Sequence, residues 1–200
     1  MDKDWTGNKA TFGALLGSSC FAKDEREQND FYATDPESVK ALLNVHNITD
    51  KIIWEPACGL GHISKTLENA GHQVISQDMI DRGYGEGNID FLKSQKAPDG
   101  CNCIITNPPY KYTLEFIEHS MKLLKDGGEA IFLLNINNLA GQKRYEHIYK
   151  HNYLSKVYVF IKRQSCAKNG EFSKFAGSSI NYGWFVFKKG NSDIPTIQWI

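Results

Sequence analysis

Asn107-Pro108-Pro109-Tyr110 closes the apolar run Cys103-Ile104-Ile105-Thr106. A β-branched run that stops on a polar residue and two prolines predicts a buried strand ending abruptly. Proline lacks the N–H that would continue a ladder, and it disfavours helix in the residue before it. Asn107 then sits at a strand's carboxyl edge, where ligands bind in an open α/β sheet. The Asn107 side-chain oxygen and the Pro108 carbonyl, both held rigid by the prolines beside the Tyr110 ring, form two acceptors next to an aromatic surface. That is a receptor for a planar –NH2 group. Taken alone, the same four residues also suit a strand followed by a tight turn, and the upstream sequence decides between the two.

A second stretch with chemical content lies there. Lys51-Ile52-Ile53-Trp54 reads as a short buried strand, followed by Glu55-Pro56-Ala57-Cys58-Gly59-Leu60-Gly61 and a helix over Ser64–Asn69 that Gly71 stops. Glycines in such a turn permit positive φ and let a ligand approach the backbone. Gln73-Val74-Ile75-Ser76-Gln77-Asp78 is the next strand. It ends in an acid about twenty residues past the turn, the spacing at which nucleotide folds set a carboxylate against ribose hydroxyls. Strand, glycine turn, helix, strand and acid make a right-handed βαβ unit. Two glycines alone suit a nicotinamide cofactor, another nucleotide or simple turn geometry. Ser64 stands at the third position of G-x-G-x-x-G, which argues against a dinucleotide. Glu55, read as a carboxylate, repels a pyrophosphate and attracts a cation.

These residues need elements to hold them. Phe31-Tyr32-Ala33-Thr34-Asp35-Pro36 leads into a helix over 37–47, with Asp35 as N-cap and Pro36 at the first helical position. Ile89-Asp90-Phe91-Leu92 places an acid next to an aromatic. Leu114, Ile117, Met121 and Leu124 recur at helical spacing before Gly127-Gly128, and Glu129–Asn135 reads as a strand buried on both faces. Residues 139–150 predict another helix, and Tyr153–Ile161 and Asn181–Phe187 predict an antiparallel pair. Between them Lys162–Ser179 is an 18-residue polar insertion carrying Arg163, Lys168, Lys174, Phe172 and Phe175. A loop of that length in a compact domain is functional or disordered. Residues 1–30 show no sustained period and read as an arm that is loose or docks through Trp5, Phe12 and Phe21; residues 191–200 read as a tail.

Two hundred residues suit one domain with appendages and leave no room for a second recognition domain. No apolar run approaches the roughly 20 residues that span a bilayer, and the start lacks the pattern of a signal peptide, so a cytoplasmic protein is expected. The cysteines (Cys20, Cys58, Cys101, Cys103, Cys166) form no C-x-x-C pair, which predicts reduced thiols and no metal, with Cys101 and Cys103 sharing one strand face. Net charge is zero but uneven: residues 1–140 hold 13 Lys/Arg against 20 Asp/Glu, and residues 141–190 hold 10 against 2. The basic C-terminal quarter suits a polyanion or an ordinary Lys-rich surface. Cys58 reads as a packing residue, His62 as a surface residue at a helix start, and Phe91 as either core or ligand wall.

Glu55-Pro56-Ala57-Cys58-Gly59-Leu60-Gly61 closely resembles the cofactor motif of S-adenosylmethionine-dependent methyltransferases. Asn107-Pro108-Pro109-Tyr110 resembles the catalytic motif of their amino-group-modifying branch, typified by DNA N6-adenine methyltransferases. Phe31–Pro36 looks like the extra cofactor-contacting motif those enzymes place before the first strand, Asp78 like the ribose-binding acid, and Asp90-Phe91 like the residues that bond and pack the cofactor adenine. The resemblance covers residues 31–190, and the whole chain is similar to small methyltransferases encoded by bacteriophages and mobile elements.

What the resemblance implies is a Rossmann-like α/β fold of about seven mainly parallel strands with the last antiparallel. It implies Asn107, Pro108, Pro109 and Tyr110 as catalytic residues. Tyr32, Thr34, Glu55, Pro56, Ala57, Gly59, Gly61, Asp78, Asp90, Phe91 and Asn107 would bind S-adenosylmethionine, and Tyr110, Arg163, Lys168 and Lys174 would meet the substrate. The implied partner is DNA, with adenine in RNA or glutamine in a protein as alternatives, and a bacterial or phage-infected cell as the setting. A methyltransferase-like domain kept only for binding is the non-enzymatic alternative. The chain departs from the DNA enzymes in having no obvious target-recognition domain, which leaves the arm and the 162–179 loop for that task.

Overall fold

The computed structural model describes residues 33–49, 52–162, 166–167 and 180–200. Nine strands and four α-helices are laid out among them. In chain order they are β1 (Ala33–Thr34), α1 (Pro36–Val45), β2 (Ile52–Glu55), α2 (His62–Asn69), β3 (Gln73–Ser76), β4 (Cys103–Thr106), α3 (Thr113–Leu123), β5 (Glu129–Asn135), α4 (Gln142–His147), β6 (Leu154–Val159), β7 (Cys166–Ala167), β8 (Tyr182–Lys188) and β9 (Thr196–Trp199).

Seven strands form one sheet in the order β3-β2-β4-β5-β8-β6-β9. β3, β2, β4 and β5 run parallel; β8 is antiparallel to both β5 and β6, and β9 is parallel to β6. The expected antiparallel partnership of the 153–161 and 181–187 strands is present. The last strand of the chain is a different one. Residues 191–200, read as a tail, supply β9, whose uniformly exposed positions carry no alternating apolar pattern to mark them as a strand. Beyond β3, a single parallel bridge between Gln77 and Glu86 takes the place of a further strand.

The central strands are apolar on both faces because helices cover both. Along β4 the side chains alternate: Ile104 packs with Trp54, Phe116, Ile117, Phe132 and Phe187, and Ile105 packs with Val39, Leu42, Ile63, Leu67 and Trp184. The first set lies under α3 and the second under α1 and α2. Cys101 and Cys103 belong to different layers, not one face, since Cys101 precedes the strand and packs with the α3 side. The expected helix over 139–150 is divided: 3-10 turns at Ile136–Leu139 and Tyr149–His151 flank the short α4. Helix α1 begins as its sequence dictates, with Asp35 Oδ1 accepting Glu37 N–H at 2.9 Å and Pro36 next to it.

The antiparallel direction of β8 brings its amino end to the carboxyl edge of the parallel strands. Its first residue, Tyr182, lies opposite Asn135, the last residue of β5. The chain between β6 and β8 therefore leaves and re-enters the sheet at the edge where β2, β4 and β5 end. The Trp184 indole, wholly buried near the middle of β8, donates to Ser38 O at 2.8 Å and ties α1 to the sheet. Trp184→Ala is expected to lower stability by about 3–5 kcal/mol, through lost burial and a residual cavity, in a denaturant titration.

Candidate functional site

β2 and β4 are neighbours with Trp54 opposite Ile104, so the residues following each strand face one another across a single strand spacing. A cleft of about 740 Å³, counting its solvent-open part, lies over this junction. Its lining comes from Thr34 in β1, from Glu55 at the end of β2 and Pro56, Ala57 and Cys58 after it, from Asp78 after β3, and from Asn107, Pro108, Pro109 and Tyr110 after β4.

Glu55 is 1% exposed at the end of β2. Its Oε2 accepts the Ser64 N–H at 2.8 Å and the Ser64 hydroxyl, and Ser64 Oγ lies 2.6 Å from Ser76 Oγ. Ser64 is the third residue of α2, so Glu55 caps that helix from a neighbouring strand. Burial pushes the Glu55 carboxyl up to about 8 against the pull of the two Ser64 hydrogen bonds. The charge attributed to it from sequence is therefore largely suppressed at neutral pH in the protein alone, and a cation beside it would restore that charge.

Asp78 is handled differently. Gly59 N–H donates to its Oδ2 at 2.8 Å and Ile80 N–H to its Oδ1 at 2.9 Å. An ionised carboxylate has about four lone-pair positions, so acceptor capacity remains for ligand hydroxyls. Gly59 has φ +54° and Gly61 φ +78°. The freedom of Gly59 is spent on aiming its N–H at Asp78. At Gly61 a Cβ would run into the Tyr84 ring, so both glycines answer to the protein's own packing before any ligand's.

On the opposite wall, Asn107 Nδ2 donates to Thr34 Oγ1 at 3.1 Å, and Asn107 Oδ1 is buried. Tyr110 opens a 3-10 turn that Tyr112 N–H closes onto Pro109 O at 2.9 Å before α3 begins. Tyr110 Oη lies 2.8 Å from Tyr182 Oη, with the rings 6.4 Å apart and inclined by 29°. The ring is thus oriented by the first residue of β8.

Most of the site residues named from sequence are brought together here. Gly59 and Gly61 stand behind the lining. Asp90 does not line the cleft: its Oδ1 caps the turn at Leu92 N–H and its Oδ2 pairs with Lys93 at 3.0 Å. Phe91 is a core residue that also borders the cleft, packing edge-on against Trp54 at 5.1 Å. Tyr32, Arg163, Lys168 and Lys174 lie outside the described residues.

Sequence reading missed Met79, Ile80 and Ile89, which line the cleft beside the two acids, along with Arg82 and His62. Met79 and Ile80 directly follow Asp78, which was the available signal. His62, read as a surface residue, is half-buried, and burial followed by the nearby Lys65 holds it below the ordinary histidine range. Among the described residues, no group of three His, Cys, Asp or Glu is placed to hold a metal, and no helix is long and apolar enough to cross a membrane.

The Glu55 carboxyl gives a signed test. Its ordinary value is 4.5 and its folded value about 8, so between these pH values the folded state holds the extra proton and stability falls as pH rises. Glu55→Gln removes that dependence. The stability of the variant relative to the natural protein should climb from pH 5 to pH 9 in unfolding titrations; a constant difference would show that Glu55 is ionised throughout.

Neither a family model nor a curated protein sequence matches the chain. Solved structures do. A protein described as a class I S-adenosylmethionine-dependent methyltransferase from Listeria monocytogenes superimposes with a TM-score of 0.59 at 16% identity, over 96% of this chain and 71% of that one. A type I restriction-modification methyltransferase subunit from Streptococcus thermophilus gives 0.57 at 15%, over 90% of this chain and 50% of that one. The precorrin-6y C5,15-methyltransferase of Geobacter metallireducens gives 0.54 at 16%, over 84% and 95%. This chain thus spans about half the length of the restriction-modification subunit. What the three structures share with it is the architecture: the chain has the Rossmann-like methyltransferase fold.

Proposed function

We propose that the protein transfers a methyl group from S-adenosylmethionine to an exocyclic amino nitrogen, adenine N6 in DNA. The observation that carries this reading is the meeting, in one cleft, of the Asn107-Pro108-Pro109-Tyr110 wall with the two acids Glu55 and Asp78.

The residues present fit the cofactor. Asp78 retains acceptor capacity suited to ribose hydroxyls, and Met79, Ile80, Ile89, Phe91 and Pro108 offer apolar walls for a planar base. Glu55 is a buried acid whose ionisation a neighbouring cation would favour, as an amino acid ammonium would. When bound, the cofactor supplies an electrophilic methylsulfonium.

The remaining work falls to the chain. An adenine amino nitrogen is a weak nucleophile because its lone pair is delocalised into the ring. Asn107 Oδ1 and the Pro108 carbonyl accept its two N–H groups, which favours tetrahedral geometry and turns the lone pair toward the donor side of the cleft. Both acceptors are held before substrate arrives, Asn107 through Thr34 and Pro108 by its ring and its proline neighbour. Preorganised dipoles of this kind lower a barrier without reorganisation cost. Tyr110, oriented by Tyr182, offers a stacking face, and a base in duplex DNA must first leave its stack to reach it. The acceptor loses its proton after transfer, so no general base is needed beforehand.

Two further facts support a nucleic-acid substrate. The Lys-rich 162–179 stretch leaves and re-enters the sheet at the cleft's edge, and one structural neighbour is a restriction-modification methyltransferase subunit. Incubation with radiolabelled S-adenosylmethionine and a panel of single-stranded DNA, duplex DNA, tRNA and protein should label adenine in DNA. Asn107→Ala should cut labelling by a factor of about 10² or more while changing cofactor affinity far less. Label in RNA or protein alone would refute the substrate, and absence of cofactor binding would refute the activity.

A further inference from the structure

The connections that leave the sheet at its carboxyl edge differ in charge. Residues 77–90, which follow β3, carry Asp78, Asp81, Glu86 and Asp90 against Arg82. Residues 107–112 after β4 and 136–145 after β5 carry Lys111, Lys143 and Arg144 and no acid. The rim is therefore negative around Asp78 and positive beyond Tyr110. Among the described residues no carboxylate forms an ion pair with these three cations, while Glu118 and Glu146 nearby are taken up by His147 at 2.9 Å and Lys150 at 3.0 Å. Glu115, in the first turn of α3, remains as an exposed acid. A polyanion is drawn to the β4–β5 side of such a rim and repelled from the β3 side.

We propose that these two connections form the seat for the DNA strand on either side of the target base, an inference that rests on the proposed amino methylation. Lys111, Lys143 and Arg144 meet its phosphates, and Tyr112 and Tyr145 stack on the bases beside the target. Each tyrosine follows a cation in sequence, and the two rings are 39% and 56% exposed. Lys111 Nζ lies 5.2 Å from the centre of the Tyr112 ring, so charge and stacking face are presented together, the combination that holds a single strand. Both connections reach the catalytic wall. Lys111 and Tyr112 follow Tyr110 in its 3-10 turn. The other begins with Ile136 N–H donating to Asn181 O at 2.9 Å, next to the Tyr182 that meets Tyr110. It continues into α4, which the His147–Glu118 contact ties to α3.

Anisotropy of a fluorescent single-stranded DNA oligonucleotide containing adenine, titrated with protein at several salt concentrations, tests the seat without requiring methyl transfer. Lys111→Gln combined with Lys143→Gln should raise Kd about tenfold or more and flatten the plot of log Kd against log salt by about 0.7 for each cation removed. Tyr145→Ala should weaken binding about fivefold or more at every salt concentration with the slope unchanged, and Tyr145→Phe should bind like the natural protein. Lys122→Gln, exposed at the far end of α3, should change neither quantity. No binding by the natural protein, an unchanged slope in the double variant, or an equal loss in Lys122→Gln would overturn the seat. If adenine in DNA is methylated while the double variant binds as the natural protein does, the seat is wrong and the functional reading stands. If the oligonucleotide is held through these residues and no amino group is methylated, the functional reading fails and the seat stands.

Discussion

Parallel pairing of β2 with β4 is the constraint that creates the site. Strands that run side by side in one direction must deliver their carboxyl ends to one edge, and the crossover helices then sit on the faces. Glu55 and Asn107, 52 positions apart in sequence by their numbering, become neighbours through this one ladder, in which Trp54 stands opposite Ile104. β3 extends the edge to Asp78, and antiparallel β8 brings Tyr182 to it from the other side. No loop has to travel far to assemble the cleft.

The edge is then stiffened by polar contacts between elements, not within them. Glu55 joins β2 to α2 through Ser64 and, by way of Ser76, to β3; Asp78 joins the end of β3 to the Gly59 turn; Asn107 joins β4 to β1. Each buried polar group gains partners this way, without which its burial would cost free energy comparable to a lost hydrogen bond or more. Glu55 remains the expensive one, because burial opposes its charge while Ser64 stabilises it.

Much of this was legible in the residues. The apolar run that Asn107 and two prolines close located β4 to the residue, and the apolar run that follows Gly127-Gly128 located β5, because a strand covered on both faces is apolar through its interior. Asp35-Pro36 located the start of α1 through local capping chemistry alone. β9 was not legible, since an exposed edge strand draws its identity from the partner it pairs with. Ser64 carried a signal that was read in only one direction: as a missing glycine it argued against a dinucleotide, while its positive role, anchoring Glu55, depends on a contact made in space. Asp90 adds a contact made within its own turn, with its Oδ1 accepting the Leu92 N–H. Gly61 was explained by ligand approach, whereas Tyr84 occupies that space.

The central claim is that the acceptor atom is an amino nitrogen held by amide and carbonyl oxygens. It is tested most directly by incubating the protein with DNA and S-adenosylmethionine bearing a deuterated methyl group, digesting the DNA to nucleosides and locating the label by mass spectrometry. The label should appear on N6 of deoxyadenosine. Label on a ring carbon such as cytosine C5 would contradict the account, because a carbon acceptor calls for a nucleophile to activate the ring and gains nothing from two acceptors beside it.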